Sequence, residues 1–84
     1  MKIEVLGTGC AKCNALEAEV KLVADRLGLD YELHHVKEIA RFASYGVMIT
    51  PALVVDGQVK AAGKVPSEAE LTNILQAAAG SPGS

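Results

Sequence analysis

Apolar positions first cluster in Ile3, Val5 and Leu6, then recur at Cys13, Leu16, Val20, Val23 and Leu27. The first cluster reads as a short strand over Lys2–Leu6, buried on both faces. The later residues stand at i, i+3, i+7, i+10 and i+14, which is one face of a helix. Asn14, Glu17, Lys21 and Asp25 take the opposite face. The pattern predicts a helix from about Cys10 to Leu27, with Gly28 suited to the C′ position. Leu29–Val36 then reads as a second strand. A helix of this length between two strands implies a right-handed parallel βαβ unit.

Ile39, Phe42 and Ala43 show helical spacing within Lys37–Tyr45, and Gly46 closes that segment. Val47–Thr50 is a connecting loop, and Pro51 enters a strand over Ala52–Val55. Asp56-Gly57 is a two-residue hairpin signal, so Gln58–Ala62 is expected to pair back antiparallel. After a turn over Gly63–Pro66, Ser67-Glu68-Ala69-Glu70 forms a capping box. Leu71, Ile74, Leu75 and Ala78 give the helix that follows an apolar face, and Gly80 ends it. The order is βαβαββα, an α/β fold with a mixed four-stranded sheet and helices on both faces. Residues 1–79 form one domain in this reading, and 80–84 a disordered tail.

Composition narrows the function. Eighty-four residues make a single small core, and the aromatic residues are only Tyr31, Phe42 and Tyr45, so Val, Leu, Ile and Ala must fill it. A net charge of −2 argues against nucleic acid or an anionic membrane as partner. Met1 and Lys2 lead straight into the first strand, with no signal peptide and no apolar run of spanning length. The expected address is the cytosol, and the simplest expected state is a monomer. In that compartment a cysteine pair is more often catalytic, redox-sensing or metal-binding than structural.

The two cysteines of the chain, Cys10 and Cys13, follow the turn Gly7-Thr8-Gly9. Cys10 is expected at the helix N-terminus, where unpaired N–H groups and the macrodipole lower a thiol pKa. Lys12 adds a positive charge nearby as a candidate tuning residue, although a first-turn Lys is usually solvated. Cys13 falls on the buried stripe. An accessible attacking sulfur with a shielded resolving sulfur behind it suits thiol–disulfide exchange. Half a zinc site, a Cu(I)-type carrier, a structural staple and a non-catalytic redox sensor are the competing readings. Structural zinc wants four ligands, and the chain has no second cysteine pair. His34 and His35 are adjacent on a strand, so they point to opposite faces and read as surface or strand-edge residues.

The chain resembles the thioredoxin superfold, and within it the small thioredoxin-like redox-active disulfide proteins of bacteria and archaea. The resemblance rests on Cys10-Ala11-Lys12-Cys13 after a strand and Gly-rich turn, and on the run Gly46–Val55 around Thr50-Pro51. It implies a cis Thr50–Pro51 bond facing Cys10 and Cys13, with the Thr50 backbone turned out to pair with an extended substrate. It also places Gly63 in the loop beside the site. It further implies a disulfide-containing protein substrate, no bound cofactor, and electrons from a flavin-containing thioredoxin-reductase-like donor. No Trp precedes Cys10, and Ala-Lys stands between the cysteines in place of Gly-Pro. Glu4 stands six residues before Cys10, where thioredoxins carry a buried acid; a place beneath the first helix would make it a tuning residue. The plainer expectation, adopted here, is a solvated carboxylate near the start of the chain. Met48 lies in the proposed active-site loop, where packing is its ordinary role. Small copper chaperones share the cysteine spacing but run βαββαβ, and Thr8 stands where they would be expected to carry Met.

Overall fold

The structure is a computed structural model and describes residues 1–9 and 11–79. Cys10 and the proposed tail, 80–84, lie outside the described residues. The elements are β1 (Lys2–Leu6), α1 (Ala11–Arg26), β2 (Glu32–Val36), α2 (Ile39–Ser44), β3 (Ala52–Val55), β4 (Gln58–Ala62) and α3 (Glu68–Ala79). The strands form one sheet in the order β2-β1-β3-β4, with β1 parallel to β2 and antiparallel to β3. The order βαβαββα ends in a helix, unlike the βαββαβ of the copper chaperones.

Strand alternation divides the core in two. Ile3, Val5, Leu53 and Val55 pack against Leu16, Val20, Val23, Leu71 and Leu75 of α1 and α3. Leu6, Ala52 and Val54 point to the other face and meet Phe42 and Val47, from α2 and the loop after it. Ile39 does not join that second core. It is 71% exposed, because the helix is too short to lay its first turn on the sheet.

Local chemistry sets the ends of the elements. Gly28 has φ +69°, its N–H donates to the Asp25 carbonyl, and the Leu29 N–H donates to the Ala24 carbonyl, which is a Schellman closure of α1. That closure holds Leu29 back in the helix cap, so β2 begins at Glu32 and not at the expected Leu29. Gly46, at φ +74°, ends α2 in the same way, with Val47 N–H on the Phe42 carbonyl. Asp56 and Gly57, with φ +50° and +82°, make the mirror-image turn that fits a tight hairpin. The register of that hairpin shifts between Leu53 and Val54, a bulge that leaves Lys60 as the extra residue of β4. The capping box at α3 is formed: Glu70 N–H donates to Ser67 Oγ at 3.2 Å, and Ser67 N–H to Glu70 Oε1 at 3.1 Å. Arg26 and Glu68 form an exposed ion pair between α1 and α3, raising the guanidinium pKa and lowering that of the carboxyl.

Candidate active site

Gly7 continues the β1–β2 ladder past its last pair, its N–H donating to the Val36 carbonyl at 3.0 Å. The chain then leaves the sheet through Thr8 and Gly9, whose φ of +91° favours glycine, and enters α1. Cys13, on the first turn of α1, is fully buried and packs onto Gly7. A methyl group built on Gly7 would overlap Cys13 Sγ and lie 2.9 Å from its Cβ. Glycine is therefore required at position 7 by the approach of the helix. Lys12 is exposed on the same turn.

A second segment reaches this end of the sheet. The Thr50–Pro51 peptide is cis, Pro51 is buried, and Thr50 is half-buried. The Pro51 carbonyl accepts the Gly63 N–H at 2.8 Å. Gly63 has φ +79°, and a Cβ there would stand 2.8 Å from Ile49 Cγ2. The turn after β4 thus rests directly on the segment that enters β3, although its hairpin is short. Thr8 and Thr50 line a common apolar groove of about 530 Å³, whose other walls include Ile39, Phe42, Val47 and Met48. Met48 is 95% exposed at its rim, so it fills no core position.

Glu4 corrects the sequence-based expectation. It is buried, at 1% exposure, and not solvated. It lies beneath α2 and not beneath α1, because it shares a strand face with Leu6 and pairs in register with Val54. Tyr45 Oη donates to Glu4 Oε1 at 2.5 Å, and Arg41 Nη2 donates to Oε2 at 3.1 Å. A buried carboxylate needs such partners, and Arg41 of α2 and Tyr45 at its C-cap, four residues apart, supply them. The bond to Glu4, reinforced by burial, pushes the Tyr45 phenol above its ordinary pKa.

His35 is the other correction. His34 is exposed at the sheet edge, near Glu32, but the His35 side chain is only 13% exposed. Its Nδ1 lies 2.8 Å from Glu17 Oε1 and its Nε2 lies 3.2 Å from the Gly7 carbonyl oxygen. The signal was the alternation Leu33, His35: both occupy the strand face that α1 covers. Arg41 and Tyr45 were missed because nothing local to them announces a partner about forty residues earlier, in β1. Among the described residues no group of three or more His, Cys, Asp or Glu could hold a metal ion. No helix among them is long and apolar enough to cross a membrane.

Comparison with known proteins gives a consistent picture. A family model described as the thioredoxin domain matches residues 1–76. A thioredoxin of Methanothermobacter thermautotrophicus is 40% identical over 75 residues, covering 89% of this chain and 97% of its own length. A thioredoxin of Methanocaldococcus jannaschii is 35% identical over 74 residues, with 88% and 85% covered. The solved structure of thioredoxin 1 from Thermosipho africanus superposes with a TM-score of 0.67 at 19% identity, covering both chains fully. At that identity the superposition shows the shared fold alone: βαβαββα around a mixed four-stranded sheet.

Proposed function

The chain belongs to the thioredoxin family, and on that premise we propose that it is a thiol–disulfide oxidoreductase acting through Cys10 and Cys13. The observation that carries the reading is the concealment of Cys13 against Gly7, directly behind the turn that leads into Cys10. Cys10, the residue before Ala11 in sequence, is the attacking thiolate in this reading. It displaces one sulfur of a substrate disulfide and forms a mixed disulfide; the released sulfur leaves as a thiolate. Cys13 then attacks the Cys10 sulfur, closing the Cys10–Cys13 disulfide and freeing the second substrate sulfur. Two electrons and the accompanying protons from a flavin-containing thioredoxin-reductase-like protein restore the dithiol. The chain itself needs no bound cofactor for these steps.

Thr50 and Pro51 hold the substrate backbone, and the apolar groove between Thr8 and Thr50 receives side chains flanking the substrate cystine. Lys12 adds a cation near Cys10. Glu4 anchors α2, which supplies one wall of the groove. The protein is read as a monomeric cytosolic electron carrier whose working domain is residues 1–79.

Reduction of a disulfide-containing protein such as insulin, driven by dithiothreitol or by NADPH with a thioredoxin reductase, tests this reading. Turnover is expected from the unaltered chain and is lost in Cys10→Ser. Cys13→Ser is expected to accumulate a mixed disulfide through Cys10. Absence of turnover with every donor, or full activity in Cys10→Ser, would refute it.

A further inference from the structure

The contacts of His35 close a ring around Cys13. Glu17 corrects the polarity pattern, which assigns it to the face opposite Cys13. A four-residue step sets it one helical turn along on nearly the same side of α1, half-buried. Its carboxylate meets His35 Nδ1 at 2.8 Å, and His35 Nε2 meets the Gly7 carbonyl at 3.2 Å. Gly7 in turn carries the backbone against which the Cys13 sulfur is packed. Gly7 is thus held by β2 through both of its flanking peptides, at its N–H by the Val36 carbonyl and at its carbonyl oxygen by the His35 ring.

The ring's partners are both acceptors. A carboxylate and a peptide carbonyl offer only lone pairs, so a neutral imidazole donates to one of them and the imidazolium donates to both. Charge-assisted bonds of this type are the stronger kind. The ring is mostly buried, Glu17 partly so, and side-chain bonds shielded from water hold geometry better than exposed ones.

We propose that His35, together with Glu17, is a positioning residue for the Cys13 thiol. The pair ties the α1 turn below Cys13 to the Gly7 carbonyl and thereby holds the resolving sulfur in its concealed place. The proposal rests on the dithiol reading of Cys10 and Cys13. A sulfur fixed near its partner has a high effective concentration toward it, which favours the closed disulfide. Loosening the clamp should therefore expose Cys13 and weaken the Cys10–Cys13 bond.

The test uses the full chain. Cys10→Ser leaves Cys13 as the one thiol, and its alkylation by iodoacetamide, at fixed pH and well below the melting temperature, reads its exposure. His35→Leu in that background is expected to raise the rate about tenfold, the size of effect that one lost charge-assisted bond carries. His35→Gln keeps an N–H directed at the Gly7 carbonyl and should recover most of the protection. In the two-cysteine chain, titration against glutathione should show the disulfide of His35→Leu about tenfold less stable, a midpoint ~30 mV less negative. Glu17→Leu should act in the same direction, with the double substitution adding little to either single one. Glu17→Leu also serves as the test should His35→Leu fail to fold. An unchanged alkylation rate and midpoint in a folded variant, with only the melting temperature lowered, would overturn the proposal. If the unaltered protein reduced no disulfide while Cys13 alkylation still answered to His35 and Glu17, the oxidoreductase reading would fall and the clamp would stand.

Discussion

Substituting Gly7 by alanine asks whether the closeness of β1 and α1 is a structural necessity. The new methyl group would sit 2.9 Å from Cys13 Cβ and overlap its sulfur. Carbon–carbon contacts are favourable only near 3.5–4.0 Å. The first turn of α1 must therefore retreat by roughly 0.5–1 Å, or Cys13 must leave its rotamer. Neither is easy, since Leu16, Val20 and Val23 on the same helix are fully buried. Overpacking of this type costs about 1–3 kcal/mol. For a domain of this size that lowers the melting point by about 4–8 °C per kcal/mol. Urea denaturation of the reduced protein measures the loss directly. Pairing the change with Cys13→Ala supplies the control. Removing the sulfur relieves the worse of the two overlaps and leaves only the 2.9 Å approach to Cβ, so the double variant should lose less than the two single losses added together. Strict additivity, or a Gly7→Ala variant as stable as its parent, would refute the close-packing explanation.

Three further substitutions test other joints. Tyr45→Phe strips one donor from the buried Glu4 carboxylate and should cost about 1–3 kcal/mol in denaturant. Because the Tyr45 pKa is raised in the folded state, its contribution is complete below the ordinary value of 10 and fades as pH climbs through the folded value. Tyr45→Phe should therefore flatten the alkaline loss of stability, leaving the part due to Tyr31, whose phenol is raised by its bond to Asp25. Ser67→Ala deletes the α3 cap and should cost about 1 kcal/mol by thermal melting. The Glu70 carboxyl, held below its ordinary 4.5 chiefly by the Ser67 N–H, stabilises the fold above that pH and ceases to do so as the medium is acidified through its folded value. Glu4→Gln should lower stability but leave the pH profile of disulfide exchange in place, since Glu4 faces α2 and not the helix bearing Cys13; a displaced profile would give it a part in proton movement.

Much of this architecture was legible because its signals are short-range. The Asp56-Gly57 hairpin, the Ser67–Glu70 cap and the Gly28 and Gly46 helix ends each follow from the backbone freedom or side-chain donors of adjacent residues. The apolar stripe from Cys13 through Val23 likewise marked the buried side of α1. Burial of individual polar groups was harder to read. Glu4 looked solvated because charge near a chain end is usually wet, yet its strand is covered on both sides and its partners come from α2. His35 looked like an edge residue because β2 is an edge strand, but α1 overhangs that edge and Glu17 closes over the ring. Ile39 promised a core contact by spacing alone, and a helix of six residues cannot keep every apolar position on the sheet.

The unequal division of the interior has a dynamic corollary. Most buried side chains lie between the sheet and the α1–α3 layer, while α2 is pinned by Phe42, Val47 and the polar knot at Glu4. Breakage of that small attachment can occur as a sub-global opening while the sulfur-bearing side stays intact. Amide protons of α2 should then exchange with deuterium ahead of those in β1 and α1. The groove wall that α2 supplies would breathe independently of the α1–α3 layer, so the width of the groove is set by the weaker of the two attachments.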